Sequence, residues 1–318
     1  MIGRPVADRS FVLGAWDAMK KPLTENSASP PQLVTFDAIM PATMAVRAEE
    51  SGIKRASTEP TTLFVLSVLA GAFISFGAIF ATTVSAGAGG LPYGVVRLLT
   101  GLVFSTGLLL VIIGGAELFT GSNIIVMAWA SRKVTTRALL LNWVISFAGN
   151  FIGAIATAAL MFYTTQYTFG GGAVGLTALS TANAKTSLAF VPALTLGIMC
   201  NALVCLAVWM CFSARTNIDR VVSIIPPIAA FVAAGFEHCI ANIYFIPMGL
   251  FIKAGAPDSF WRSIGKTGAD FPELTWSNFL VGNLLPVTIG NIIGGSIMVA
   301  AVYWFVYLRK QPAKIISN

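Results

Sequence analysis

Six apolar segments constrain the fold of this 318-residue chain more than any other feature. A helix needs about 20 apolar residues to cross the hydrocarbon layer of a bilayer. Four segments are continuous, and they run roughly over 63–83, 138–163, 188–212 and 279–307. Because hydrocarbon cannot hydrogen-bond to exposed backbone, only helices and closed barrels cross it. The segments therefore predict an all-α membrane protein, a bundle of six transmembrane helices.

Two of the six predicted helices are broken at membrane depth. The first break separates 98–113 from the short apolar piece 124–130, and the second separates 221–234 from 243–252. The segments 98–113 and 221–234 are each too short to span the membrane alone. Non-helical backbone at this depth persists only where it is buried in protein or lines a wet cavity. Two such breaks predict a path for a solute between the halves of the molecule.

The composition excludes a soluble domain. The chain is 56% hydrophobic and only 10% charged, whereas soluble domains carry about 25% charged residues. The net charge of +7 is not gathered in one basic patch, so no nucleic-acid partner is expected. All four cysteines lie in apolar segments and are expected to be packed thiols, since no Cys/His spacing indicates a metal or a cofactor. The first twenty residues lack the apolar core of a cleaved signal peptide.

The distribution of the twenty Lys and Arg residues predicts the orientation in the membrane. With six spans, both termini face the same side, and that side receives fifteen of these residues. The other side receives five, namely Arg97, Lys185, Lys253, Arg262 and Lys266. Positive charge accumulates on the cytoplasmic side of membrane proteins, so both termini are expected in the cytoplasm. Leaving out the long N-terminal segment reduces the contrast to eight against five.

The two halves of the chain repeat one pattern. Each break begins with Gly-x-Glu, and the two glutamates are Glu117 and Glu237. The third helix of each half carries two asparagines eight positions apart, namely Asn142 with Asn150 and Asn283 with Asn291. Three helices per repeat force the halves into opposite orientations, which is an inverted repeat. The glycines near Asn150 and Asn291 predict close helix packing, and these two asparagines are predicted to brace the breaks or line the path.

His238 is the only histidine in the chain, and it lies inside the second break directly after Glu237. An ionisable residue in hydrocarbon is by default a candidate functional residue. The half-helices after the breaks are expected to begin at about Gly121 and Tyr244, and two helix N-termini aimed at the midplane favour an anion. Simple N-capping is the alternative for three polar side chains near the first break, namely Thr120, Ser122 and Asn123.

Glu117 and Glu237 allow two interpretations. Each carboxylate is expected to accept hydrogen bonds from the N–H groups that its own break frees. The alternative is that they hold a proton or orient His238.

Four strings in the sequence resemble the formate/nitrite transporter family, and within it the FocA-type formate channels. They are G-G-A-E-L-F-T at 114–120, G-F-E-H-C-I-A-N at 235–242, I-P-M-G at 246–249 and P-V-T-I-G-N-I-I-G-G at 286–295. The resemblance extends over about 36–309. It implies an aquaporin-like six-helix protomer with its own pore, assembled as a homopentamer in the bacterial cytoplasmic (inner) membrane.

The resemblance also implies roles for particular residues. His238 and Thr120 would form the polar pair at the middle of the pore, with Asn291 nearby. Apolar constrictions are implied on both sides of this pair, with Phe104 and Phe231 in one and Leu108, Leu118, Phe119 and Val204 in the other. The polar residues that correspond to the outer approach and to the surroundings of the histidine are Lys185, Glu237 and Asn242.

Four regions are expected along the chain. Residues 1–35 form an N-terminal extension that reads as a linker, and 61–310 form the transmembrane channel domain. The segment 36–60 carries an approximate apolar stripe and is expected to be a cytoplasmic amphipathic helix, either interfacial or able to close the pore mouth. Residues 311–318 form a cytoplasmic tail.

These observations lead to the hypothesis that formate crosses the membrane with a proton transfer at His238. An unpaired ion in a dry constriction faces a cost that reaches tens of kcal/mol in the idealised limit. Protonating a carboxylate with a pKa of about 4 at pH 7 costs roughly 4 kcal/mol. Lys185 would attract the anion, His238 would donate a proton, and Thr120 would hold the substrate. The expected partners are a formate-like anion, protons and membrane lipid.

Several alternatives remain open at this point. Nitrite or hydrosulfide is the second choice of substrate, and a charged His238 that lets the anion itself pass is the second mechanism. A neutral-solute channel of the aquaporin kind is less favoured because the chain lacks paired Asn-Pro-Ala boxes. An enzyme is not expected, since no nucleophile arrangement, metal set or cofactor motif occurs.

Overall fold

The computed structural model describes residues 38–310 of the chain. The regular structure of this part is helical throughout, which confirms the predicted all-α class. The predictions for the extension 1–35, for Phe36 and for the tail 311–318 lie outside the described residues.

Six helices of the described part are long and apolar enough to cross a membrane. They are α2 (Pro60–Ser85), α3 (Tyr93–Gly114), α5 (Thr136–Tyr163), α7 (Phe190–Cys211), α8 (Asn217–Ala234) and α11 (Asn278–Tyr307). Five shorter helices accompany them. They are α1 (Pro41–Ala56), α4 (Phe119–Ala130, with a 3-10 turn at Asn123–Ile125), α6 (Ala173–Thr186), α9 (Cys239–Gly255) and α10 (Asp258–Ile264). The six spans and the two breaks agree with the prediction.

Several predicted boundaries are wrong. The helices before the breaks begin at Tyr93 and Asn217, so α3 has 22 residues and α8 has 18, and both reach spanning length. The half-helices begin at Phe119 and Cys239 and not at about Gly121 and Tyr244. At both starts a side chain from a distant helix binds the first N–H group. The N-cap residues are Leu118 in α4 and His238 in α9, and neither is a common capping residue. The helices α6 and α10 had no counterpart in the sequence interpretation.

The close packing that the glycines predict is present in both halves. A Cβ on Gly153 of α5 would lie 2.0 Å from the Val68 carbonyl oxygen of α2. A Cβ on Gly294 of α11 would lie 2.1 Å from the Ile198 carbonyl oxygen of α7. Only glycine allows these backbones to approach so closely.

The packing contacts give the register of the inverted repeat. Gly149 faces Phe64, and Gly290 faces Leu194 in the same way. Together with the previous pairs, this contact aligns each α2 residue with the α7 residue 130 positions later. In the same way α3 aligns with α8, α4 with α9, and α5 with α11. One difference stands out: α5 is a regular α-helix, whereas α11 contains two π-helical segments.

The helix α1 packs against α4. Gly52 lies against Ile125 and Ala128, where an added Cβ would come within 3.3 Å of Ile125 Cα and 3.1 Å of Ala128 Cβ. Glu49 is buried on the same side and forms an ion pair with Lys133. The structure therefore places the predicted amphipathic helix at Pro41–Ala56, against the first half-helix.

Candidate functional site

A left-handed glycine ends the first helix of each broken pair. Gly115 has φ +76° and Gly235 has φ +78°, a conformation that L-residues with side chains rarely adopt. The chain then runs extended through Leu118 in the first half and through His238 in the second before the half-helix starts. The two breaks thus share one backbone course, and a leucine in one corresponds to the histidine in the other.

Asn150 and Asn291 hold the two breaks with identical sets of hydrogen bonds. Asn150 Oδ1 accepts from the Phe119 N–H at 2.9 Å, and its Nδ2 donates to the carbonyl oxygens of Ser67 and Glu117. Asn291 Oδ1 accepts from the Cys239 N–H at 2.9 Å. Its Nδ2 donates to the carbonyl oxygens of Gly197 and Glu237. Both amide protons of each side chain are used, so each asparagine joins three segments of backbone.

The two glutamates of the breaks each pair with a cation from outside the repeat. Glu117 forms an ion pair with Arg55 of α1 at 2.6 Å, and Glu237 forms one with Lys185 of α6 at 2.8 Å. Each carboxylate also accepts from a side chain five residues later, Ser122 or Asn242.

Those contacts contradict two interpretations of the polar residues near the breaks, while the alternative that Glu117 and Glu237 hold a proton or orient His238 stays a prediction. The carboxylates accept from side chains and not from the freed backbone. The N-cap residue of α4 is Leu118, so N-capping by Ser122 or Asn123 was wrong. Ser122 donates to Glu117, and Asn123 donates to the Phe119 carbonyl oxygen.

His238 and Thr120 meet where the two breaks face each other. The distance from His238 Nε2 to Thr120 Oγ1 is 3.0 Å, and both side chains are buried. His238 Nδ1 accepts from the Ala241 N–H at 3.1 Å, so it caps its own half-helix. Since Nδ1 is the acceptor, the ring proton is on Nε2 and points to Thr120. The geometry thus describes a neutral imidazole whose N–H donates toward the partner half.

A cavity of about 480 Å³ leads to one side of His238. We call it the outer vestibule, because it lies beside Lys185, on the side predicted to face away from the cytoplasm. Its hydroxyl-bearing residues are Thr82, Ser85, Thr100, Thr177, Ser180 and Thr181. Two cations line it as well. Lys185 Nζ lies 5.6 Å from the centre of the Phe245 ring, and Arg97 donates to the carbonyl oxygens of Val232 and Ala233.

The opposite side of His238 is closed by apolar side chains. The space there measures only about 10 Å³, and it is lined by Ile74, Phe104, Leu108, Leu118, Val204, Ile228 and Phe231. That volume is near the minimum that a single water occupies. Phe104 and Phe231 line both spaces and contact each other edge to face, with ring centres 5.6 Å apart. His238 therefore lies between the outer vestibule and this narrow apolar space, which we call the dry slit.

Four predicted site residues line neither space but bind at the breaks or to His238, namely Thr120, Asn291, Asn150 and Glu117. The predicted constriction residues come together around the slit, with one exception. Phe119 lines neither space, and its ring packs on Trp143 and Phe147 instead. In the described part of the chain, no group of three His, Cys, Asp or Glu residues is placed to hold a metal ion.

Sequence reasoning missed several polar residues near the site. Asn201 lies at the centre of the bundle, and Arg55 and Arg97 bind the two break regions. A signal existed for Asn201, since an amide in a membrane helix needs a partner. Arg55 and Arg97 were used in the sequence analysis only as positive charges that indicate the orientation in the membrane.

The comparisons with known proteins agree with this geometry. The family model described as formate/nitrite transporter matches residues 42–305. The formate channel FocA of Escherichia coli (strain K12) is 44% identical over 276 residues, which cover 87% of this chain and 97% of that protein. The formate channel FocA of Haemophilus influenzae is 39% identical, over 86% of this chain and 96% of that protein. A solved structure described as a pentameric formate channel with formate bound has a TM-score of 0.75 and 46% identity, and it covers 79% of this chain and 98% of its own.

Proposed function

Because the chain belongs to the formate/nitrite transporter family, we propose that it carries formate and similar small monocarboxylates along the path that His238 divides. Like its relatives, it is a membrane transport protein and not an enzyme. The single observation that carries the proposal is the position of His238, which lines both the outer vestibule and the dry slit and contacts Thr120 at 3.0 Å.

The apolar slit favours a neutral substrate over an anion. Phe104, Phe231 and Leu118 provide no charge or hydrogen-bond donor on their side chains, so an ion there loses its hydration without replacement. Protonation of the carboxylate costs roughly 4 kcal/mol at pH 7. The neutral acid that results avoids the larger cost of losing the hydration of an ion. The anion is first attracted into the vestibule by Lys185 and then reaches the neutral imidazole.

Proton transfer at His238 requires one rearrangement, because a neutral imidazole cannot give up its only proton. A proton from the vestibule first binds Nδ1, and the Ala241 N–H then loses its acceptor. The imidazolium passes its Nε2 proton to a carboxylate oxygen, and the neutral acid leaves through the slit. The histidine returns to its resting form when the remaining proton moves from Nδ1 back to Nε2 by exchange with water. Thr120 Oγ1 stabilises the substrate by a hydrogen bond during the transfer.

The remaining polar residues support this arrangement. Asn291 and Asn150 brace the two breaks, and Glu237 holds Lys185 at the vestibule with the help of Asn242. Glu117 holds Arg55, and Arg55 connects α1 to the first break.

We further propose a homopentamer in the bacterial cytoplasmic membrane, with both termini in the cytoplasm. The solved relative is described as pentameric. Large apolar side chains are exposed on the outside of the protomer, for example Leu160, Val144 and Val281. These surfaces suit lipid and neighbouring subunits. Accessibility of single cysteines introduced at position 310 and near Lys266, tested from each side of the membrane, checks the orientation.

Nitrite is the second candidate, because the matching family is described by both substrates. The deciding experiment measures uptake of formate, nitrite and hydrosulfide by purified protein in proteoliposomes at pH 5.5 and 7.5, with internal pH and current recorded. Formate uptake with one proton and no current supports the proposal. Formate uptake with anion current and no proton movement overturns the proton transfer, and uptake of nitrite or hydrosulfide without formate overturns the substrate.

A further inference from the structure

Asn201 of α7 has no counterpart in the first half of the molecule. The repeat register aligns α2 with α7 at a separation of 130 residues, so the residue that corresponds to Asn201 is Gly71. Gly71 lies against the Asn150 carbonyl, where an added Cβ would come within 2.2 Å of the oxygen. In the second half, the corresponding carbonyl of Asn291 accepts a hydrogen bond from Asn201 Nδ2 at 2.7 Å. One half therefore has bare backbone contact where the other has an amide.

The Asn201 amide reaches into the opposite half as well. Its Nδ2 donates to the Thr120 carbonyl oxygen at 3.2 Å, and Asn123 Oδ1 lies at 3.4 Å. Three oxygens around Nδ2 fix the orientation of the amide, since the reversed orientation would bring Oδ1 against them. Asn201 is completely buried. It thus links Thr120 of the first half with Asn291 of the second.

Both of these links end beside the central pair. Thr120 carries the hydroxyl that contacts His238 Nε2. Asn291 binds the N–H of Cys239, the residue directly after His238. A single side chain therefore connects the backbone on both sides of the 3.0 Å contact between Thr120 and His238.

The residue facing Asn201 leaves room for this amide. A Cβ on Gly295 would lie 2.4 Å from Asn201 Nδ2. The corresponding residue of α5, 141 positions earlier as for Asn150 and Asn291, is Ala154, and it faces Gly71. The first half therefore combines glycine with alanine, and the second half combines asparagine with glycine. The π-helical segment Ile293–Ala301 occurs at this point of the second half, while α5 stays regular.

We propose that Asn201 is a positioning residue that holds Thr120 and His238 at hydrogen-bonding distance across the two halves. This inference rests on the proposed passage of substrate at that pair. It assigns Gly295 a matching role, which is to leave the space that the amide occupies.

Exchange of the pair between the halves tests this role. The double variant Asn201→Gly/Gly295→Ala installs the glycine–alanine pair of the first half. The Cβ added at position 295 still lies 2.8 Å from Cys205 Sγ and 2.9 Å from Asn123 Cβ, so these two side chains must shift. Asn201→Gly alone, which adds no atoms, is therefore measured beside it, and both variants should assemble. Formate uptake should nevertheless fall roughly tenfold to a hundredfold, the effect of displacing a reacting group by about 1 Å. Its pH profile should also shift, which loss of packing alone would not cause. Gly295→Ala alone should reduce uptake to a similar degree by displacing the amide.

Two further measurements make the outcomes distinct. Ala154→Gly is the matched control, because it changes the corresponding position without touching the Asn201 contacts, and its uptake and pH profile should match the parent protein. A cryo-electron microscopy structure of the double variant should show the Thr120–His238 contact lengthened beyond hydrogen-bonding distance. An unchanged contact, or an unchanged pH profile in the double variant, overturns the role of Asn201. Normal uptake in both Thr120→Ala and His238→Asn overturns the proposed passage instead, whatever the distance shows.

Discussion

The two breaks of this protein follow the same backbone course but carry different side chains. Both breaks have a left-handed glycine, a bracing asparagine and a glutamate paired with a cation. After the glutamate, however, the first half has Leu118 and the second has His238. The inverted repeat builds the frame twice, and only one copy received the titratable group. What is common to the halves therefore serves architecture, and what differs between them is where function is expected.

Replacing His238 by leucine, the residue at the same position of the first break, should have the largest effect on transport. His238→Leu gives the second half the residue of the first and removes the only group that can carry a proton at the pair. We expect formate uptake to fall by roughly 100-fold or more, the range that positioned acid–base groups contribute. Uptake should also lose its pH dependence, as measured in proteoliposomes between pH 5 and 8.

Two other variants control for packing and for capping. Leu118→Met keeps a similar volume on the first break and should retain pH-dependent uptake. His238→Asn keeps an acceptor for the Ala241 N–H but has no titratable group, so α9 should stay folded while the pH dependence disappears. A strong pH dependence in either His238 variant would contradict the proton-carrying role.

The bracing asparagines should show the largest effect on stability. Asn150→Leu and Asn291→Leu each leave a buried N–H and two carbonyls without their side-chain partner. Each unsatisfied buried group costs about 1–3 kcal/mol. We expect both variants to lower the melting temperature of the detergent-solubilised protein by similar amounts, because the contacts are the same in the two halves.

Exposed positions on the same helices provide the control for these variants. Val144→Leu on α5 and Ile297→Leu on α11 alter apolar side chains that point outward, and neither should change the melting temperature. A much larger decrease in melting temperature in one bracing variant than in the other would show that the two braces do not contribute equally to stability.

The two cations that pair with the glutamates should affect different properties of the protein, Lys185 the uptake of formate and Arg55 the thermal stability. Lys185 lines the outer vestibule, so Lys185→Met should reduce uptake at low formate concentration by roughly tenfold, the lower range of electrostatic attraction. High salt should diminish the difference, because screening weakens the attraction in the parent protein. Arg55→Met should mainly lower the melting temperature, because it detaches α1 from Glu117.

Charge-conserving variants sharpen this prediction. Lys185→Arg should keep most of the uptake, and its salt dependence should remain. Equal loss of uptake from the outside in Arg55→Met and Lys185→Met would show that the two ion pairs do not differ in this way.

The smallest effect is expected at the start of the first helix of each half. Glu59 caps α2 by accepting from the N–H groups of Thr61 and Thr62, whereas Ala189 at the start of α7 provides no side-chain cap. These bonds lower the pKa of Glu59 from 4.5 to about 2. A lowered pKa stabilises the folded state above the unfolded value, and this contribution is lost as the pH falls from about 4.5 through 2.

Glu59→Gln should therefore reduce the melting temperature slightly at pH 7, and the difference from the parent protein should shrink toward pH 2. Ala189→Ser should raise stability slightly by adding a cap to α7. A difference for Glu59→Gln that grows in acid would contradict the assignment.

The sequence was sufficient for the parts of the fold that depend on apolar length and on the repeat. Segment length located six spans, and the paired asparagines located the braces of both breaks. His238 and Thr120 were placed together by the family resemblance, and the structure puts their side chains in contact. Helix starts were less predictable, because Asn150 and Asn291 bind the first N–H groups from 31 and 52 positions away, and His238, which also caps α9, is not a common capping residue.

Residues that act across the repeat were the hardest to predict. The role of Asn201 can be recognised only when α7 is aligned with α2, and the sequences around Asn201 and Gly71 share no motif. Phe119 shows the opposite error, because the family resemblance placed it in a constriction, while its side chain packs on Trp143 and Phe147. The side chain of a residue beside a break can point either way, and spacing alone does not decide which.

The origin of the two countercharges has a consequence for how such proteins diversify. Arg55 comes from α1 and Lys185 from α6, and both helices lie outside the duplicated core. The cation beside each break is thus supplied by a helix other than those that carry the asparagine braces. A change in α1 or α6 can therefore alter the charge beside one break while the braces of both breaks stay as they are, so the surroundings of the two breaks are open to independent adaptation.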